Sequence, residues 1–169
     1  MCFIPPLFVN LPTKREWSTM SDKLNPEQRH YCMSRVKSAD TRPEILVRKY
    51  LHSKGFRYSL HKKSLPGCPD IVLKRYHTVI FVNGCFWHVH PGCKYSVIPA
   101  TNRTFWIEKF EKNKERDARN ISLLEELGWH VIIVWECELK KDVRENNLRK
   151  VEKIIRYAGI CPLPPKIEQ

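Results

Sequence analysis

Two short apolar runs, Thr78-Val79-Ile80-Phe81-Val82 and His130-Val131-Ile132-Ile133-Val134-Trp135, limit what this chain can fold into more than anything else in it. Each is continuous and rich in β-branched residues rather than alternating, as a strand covered on both faces is. Between them, Thr104 to Leu127 has helical periodicity. Trp106, Phe110, Ile121, Leu124 and Leu127 can share a face, while Lys109, Lys112, Arg116 and Arg119 decorate others, and Gly128 ends the helix. Strand, long helix, strand is the arrangement of a parallel pair joined by a crossover.

Around this unit the other elements follow from local signals. Pro26 to Val36 reads as a short basic helix. Thr41-Arg42-Pro43-Glu44 has the form of a capping box, opening a helix that runs to about Lys54 and stops at Gly55. The turn-rich Ser64-Leu65-Pro66-Gly67-Cys68-Pro69 leads into a strand over Asp70-Ile71-Val72-Leu73, and Asp142 to Ala158 forms a final helix. The order α, α, β, β, α, β, α predicts a three-layer α/β domain with a mixed central sheet. The length of 169 residues suits one domain, expected over 20–160. Residues 1–19 are expected to be a disordered extension, with Met20 as an alternative start, and the Pro-rich tail 161–169 to be loose.

Lys and Arg total 30 against 18 acidic residues, a net charge of +12. A small domain this basic suits a polyanion, with nucleic acid as first candidate and an anionic membrane surface as second. No apolar run reaches the length of a membrane span, and the apolar start, Met1 to Val9, lacks the basic residue that a signal peptide carries in front. The expected setting is cytoplasmic. Seven cysteines, an odd number without an export signal, favour reduced thiols over disulfides. Cys85, His90 and Cys93 follow one buried strand, with four and then two residues between them, and Cys137 lies two residues past the other. If the strands are parallel neighbours their ends meet, and these three cysteines and one histidine form a closed tetrahedral set suited to structural zinc. Cys2, Cys32, Cys68 and Cys161 have no such company.

Pro69-Asp70 after a turn has the form of the Pro-Asp half of a restriction-endonuclease-like core, in which the Asp binds Mg²⁺. The acidic residue and lysine usual on the next strand are replaced by Phe81-Val82-Asn83. A hard cation takes oxygen ligands, and the Val82 carbonyl can serve beside Asp70. His88 is surplus to the zinc count: general acid or base, further ligand, or surface histidine are all open to it. Glu44 is equally a capping residue or a site residue. Phe86-Trp87 is either a small local core or a wedge that stacks between bases. Trp106 stands beside Phe105, which is expected in the core.

These residues closely resemble the very-short-patch repair endonucleases, bacterial enzymes that nick DNA at mismatches. The resemblance spans about Pro26 to Leu139. It rests on Thr41-Arg42-Pro43-Glu44, Leu65-Pro66-Gly67-Cys68-Pro69-Asp70, Gly84-Cys85-Phe86-Trp87-His88, Pro99-Ala100-Thr101, Phe105-Trp106, Lys112-Asn113, Glu115-Arg116-Asp117, Glu126-Leu127-Gly128-Trp129 and Val134-Trp135-Glu136-Cys137. It implies a restriction-endonuclease-like fold and Mg²⁺-dependent nicking of double-stranded DNA, 5′ of the thymine in a T:G mispair left by deamination of 5-methylcytosine. It also implies a monomer with functional links to a cytosine methyltransferase and to mismatch-repair proteins. By position, Asp70 would bind Mg²⁺ with the Val82 carbonyl, His88 would act in water activation, and Glu44 would support His88 by hydrogen bonding. Cys85, His90, Cys93 and Cys137 would hold zinc, and Phe86, Trp87 and Trp106 would insert beside the mismatch. Two positions depart from the family pattern: Asn83, where a histidine is usual, and Pro91-Gly92, one residue more than the usual spacing. The alternative function is a non-catalytic, zinc-stabilised mismatch binder.

Overall fold

The computed structural model describes residues 19–20, 25–37 and 39–160; the expected extension up to residue 18, the tail 161–169, Cys2 and Cys161 lie outside them. In chain order the elements are β1 (Thr19–Met20), α1 (Pro26–Ser34), α2 (Arg42–Ser53), β2 (Ser59–Leu60), β3 (Ile71–Leu73), β4 (Thr78–Asn83), β5 (Ile98–Pro99), α3 (Arg103–Glu126), β6 (His130–Trp135) and α4 (Arg144–Ala158). Single 3-10 turns follow β3 and β6.

The main sheet is open and mixed, in the order β2-β3-β4-β6. β2–β3 and β3–β4 are antiparallel, and β4–β6 is parallel, with Thr78 opposite His130 and Asn83 opposite Trp135. Side chains on a strand alternate between faces, and both faces here are apolar. On one, Ile71, Leu73, Ile80, Ile132 and Val134 pack with Val47 and Leu51 of α2 and Leu148, Val151 and Ile155 of α4. On the other, Val72, Val79, Phe81 and Val131 pack against Leu124 of α3. Each fully buried aliphatic side chain of this kind contributes on the order of 1.5–3 kcal/mol. The α/β class, the mixed sheet and the parallel crossover pair agree with the sequence-based expectation.

Two expectations need correction. Phe105 does not enter the core: it is 59% exposed, and its ring contacts only the edge of the aromatic group around Trp106. Leu127 caps α3 at 58% exposure, one turn past the last buried position, Leu124. β1, β2 and β5 were not foreseen. β1 pairs in parallel with β5, Thr19 opposite Ile98. Among the described residues no helix is long and apolar enough to cross a membrane.

Candidate active site

The C-terminal ends of β4 and β6 lie side by side, as their parallel register requires, and the residues just beyond them build two adjoining sites. Open α/β sheets carry their ligands at this end of parallel strands.

The first is a candidate metal centre. Cys85, His90, Cys93 and Cys137 come together with their donor atoms within 4.8 Å of one another. His90 Nδ1 lies 3.6 Å from Cys85 Sγ and 3.2 Å from Cys137 Sγ. A tetrahedral ion with zinc's usual bond lengths separates sulfur from nitrogen by about 3.5 Å, so the donor set fits a closed soft-metal site. The three thiols are free. Burial pushes Cys85 up to about 12, and burial also raises Cys137 and lowers His90. A pocket that disfavours bare thiolates and imidazolium keeps its donors neutral until a cation compensates their charge. The imidazole of His90 stacks on Trp135, with centroids 4.1 Å apart and 5° between planes, which fixes the ring on the β6 side.

The second site is a groove of about 860 Å³ whose lining includes Glu44, His61, Asp70, Val82, Asn83, Trp87 and His88. Asp70 sits where the loop from Ser64 turns into β3. That loop is pressed onto α3 at Gly67, whose φ of +70° and lack of a side chain admit Asn120 at a distance no Cβ would allow. Asp70 Oδ2 accepts the Val82 N–H at 2.7 Å. In an extended strand a residue's N–H and C=O point the same way, so the Val82 carbonyl faces the Asp70 side. Burial raises the Asp70 carboxyl above its ordinary value against the opposing pull of the Val82 N–H, and nearby Glu44 adds to the rise. An oxygen-rich, partly desolvated carboxylate of this kind fits a hard divalent cation. Asn83 is buried and lines both this groove and a smaller cavity of about 280 Å³ behind His88.

His88 occupies the helical turn that leaves β4, its N–H bonded to the Gly84 carbonyl at 3.1 Å. Its Nδ1 lies 2.6 Å from Asp117 Oδ2 on α3, and Arg116 donates to the other oxygen, Oδ1. Burial opposes the ionised Asp117, but the bonds from His88 and Arg116 outweigh it and hold the carboxyl below its ordinary range. An ionised carboxylate can only accept, so Nδ1 carries the proton and Nε2 is left able to take one. The carboxylate on His88 is therefore Asp117 and not Glu44, as the resemblance had implied. Glu44 instead closes the capping box with Thr41, accepts from the Asp40 N–H and pairs with Arg48 at 2.7 Å.

Phe86, Trp87 and Trp106 come together. Phe86 packs edge-on against Trp87, Trp106 and Phe110, with centroids 5.0–5.2 Å apart. Phe110 is buried and the other three are half-buried, so the group is rooted in a local core and open on one side. Asn113 on α3 donates to the Trp87 carbonyl at 3.0 Å, holding this loop from beneath.

Sequence reasoning assigned no role to Asp117, Asn113, His61 or Arg48. For α3 a signal existed: Phe110, Asn113, Asp117, Asn120 and Leu124 lie along one face, and a buried stripe that turns polar for two turns faces a site rather than a core. His61 had no comparable signal.

Comparison with known proteins agrees with this geometry. The profile of the family described as DNA mismatch endonuclease Vsr matches residues 21–94. The type II nicking enzyme V.XorIIP of Xanthomonas oryzae pv. oryzae is 49% identical over 120 residues, covering 71% of this chain and 88% of that protein. The type II nicking enzyme V.NmeAIP of Neisseria meningitidis is 47% identical over 140 residues, 82% of this chain and 99% of that protein. The DNA mismatch endonuclease Vsr of Escherichia coli is 45% identical over 121 residues, 72% of this chain and 77% of that protein.

Proposed function

The chain belongs to the Vsr family of DNA mismatch endonucleases, and on that footing we propose that it nicks double-stranded DNA 5′ of the thymine in T:G mispairs left by deamination of 5-methylcytosine, opening very short patch repair. The observation that carries the reading is a shared groove: Asp70 with the Val82 peptide, and His88 held by Asp117, line one depression beside the four-donor metal centre.

Asp70 and the Val82 carbonyl are the oxygen donors for Mg²⁺. When bound, that cation supplies charge neutralisation at the scissile phosphate. His88 takes the proton of the attacking water at Nε2, and Asp117 keeps the imidazole in the tautomer that allows it. Arg116, paired with Asp117, adds positive charge on the same side. Cys85, His90, Cys93 and Cys137 hold one structural zinc, which ties the turn carrying His88 to the end of β6. Phe86, Trp87 and Trp106 form the wedge that opens the stack beside the mispair. The overall fold of this reading is restriction-endonuclease-like, and its biological partner is the cytosine methyltransferase whose product gives rise to T:G.

The test is incubation with Mg²⁺ and a T:G duplex beside Asp70→Ala. Nicking by the wild type that disappears in the variant, with mismatch binding kept, is the expected result. Binding without nicking by either protein sinks the reading in favour of a non-catalytic mismatch binder.

A further inference from the structure

His61 lies outside every motif named above, yet it stands at the centre of the groove's acidic side. β2 pairs with β3 so that Ser59 faces Val72 and Leu60 faces Ile71; one step further along the same register, His61 comes opposite Asp70. The backbone turns there, His61 having a φ of +43°, and the ring lies between Asp70 and Arg48. Its Nδ1 lies 3.8 Å from Asp70 Oδ1, the carboxylate oxygen that Val82 leaves free. Its Nε2 lies 2.8 Å from Arg48 Nη2. Arg48 is buried on α2, with its guanidinium fixed by Glu44 and Asp40.

The chemistry of these neighbours sets the ring's tautomer. A guanidinium has donors only, so in the contact with Arg48 the Nε2 of His61 accepts. The ring proton is then on Nδ1, directed at Asp70. Asp40, Glu44 and His61 bring donor atoms close enough to suggest a second cation site, but Arg48 already lies among them as the compensating charge.

We propose that His61 is a positioning residue for Asp70: fixed by Arg48, it presents an Nδ1–H to Asp70 Oδ1 and aims the carboxylate at the catalytic cation. The inference rests on the reading of Asp70 as the Mg²⁺ ligand. Val82 holds one oxygen from β4, and His61 steers the other from β2. The contact at 3.8 Å is longer than a hydrogen bond, so the role requires it to close when Asp70 takes the cation. Groups that orient a metal ligand in this way are worth roughly 10–100-fold in metal affinity or activity.

Three variants test it. His61→Asn puts an amide N–H where Nδ1 was, and asparagine tolerates the left-handed backbone. His61→Gln puts its amide at the Nε2 end, and His61→Ala removes the donor. Two readouts are taken on full-length protein whose fold is checked by thermal melting. One is the Mg²⁺ concentration for half-maximal nicking of a T:G duplex; the other is Mg²⁺ binding by calorimetry without DNA. His61→Ala and His61→Gln are expected to weaken both by about 10-fold or more, and His61→Asn to stay within about threefold of wild type. Should the alanine variant fail to fold, the asparagine–glutamine contrast carries the same test. Unchanged Mg²⁺ dependence in His61→Gln, or equal loss in all three variants, overturns the role of His61 while leaving Asp70 intact. Mg²⁺ binding that is also unchanged in Asp70→Ala overturns both.

Discussion

Asp117 has both oxygens committed, one to His88 at 2.6 Å and one to Arg116 at 2.9 Å. Because its folded carboxyl titrates below the ordinary value of 3.8, the ionised form stabilises the fold. That contribution is complete above the ordinary carboxylate range and is lost as pH falls through the depressed folded value. A hydrogen bond to a charged group is worth about 1.5–3 kcal/mol. Asp117→Ala is therefore expected to melt roughly 5 °C lower than wild type near neutral pH, for a chain of this size. The gap should close in acid; a gap that widened there would contradict the assignment. Nicking by the same variant should fall by about 10²-fold or more, because the His88 tautomer is no longer fixed. In the sequence, Asp117 was one charge on a helix full of charges. What gives it a role is its height on α3, level with the turn that leaves β4, and that height depends on how a 24-residue helix docks. Helical spacing marks the face of α3 on which Asp117 lies, with Phe110, Asn113 and Leu124, but not that height.

At the level of elements, β4 positions most of the proposed site. Its Val82 N–H fixes Asp70, its end leads directly to Cys85, and the following turn presents Phe86, Trp87 and His88. Between β4 and β5 the chain is held by isolated turn hydrogen bonds, such as His90 N–H to the Cys85 carbonyl at 3.0 Å, by Asn113 and Asp117 of α3, and by the cluster of four candidate metal donors. Metal analysis of the wild type is expected to give about one zinc per chain, and Cys137→Ser to lose it and to speed amide exchange over 84–97 while β4 and β6 stay protected. A wild-type protein that carries no metal as isolated would remove that expectation. β3, β4, β6 and α2 were legible in the sequence because each buries a run or a periodic face, and Thr41 with Glu44 marked the start of α2. The two-residue β2 was not legible, since two exposed residues have no period, and His61 was lost with it. Phe105 and Leu127 were misassigned at the two ends of α3, where both side chains are exposed.

For the molecule as a whole, a net charge of +12 sets how it meets DNA. Arg42 and Lys63 are exposed and line the groove. If they contact phosphates, affinity for matched and mismatched duplexes falls equally in Arg42→Ala and Lys63→Ala, and the slope of log affinity against log salt becomes shallower by about one for each. A loss confined to the T:G duplex would place them instead in mismatch recognition. The layered α/β arrangement followed from the order of the elements, whereas the meeting of two halves of the chain at one metal centre needed the parallel register of β4 and β6. His90 and Cys137 are 47 residues apart in the chain and 3.2 Å apart in space. The donors become a set only after α3 has crossed over and β6 has zipped onto β4, and such non-local closure is the slow kind of folding event. Until that closure Cys85, His90 and Cys93 are an open set of three donors, and the arrival of Cys137 is what makes the set a closed one.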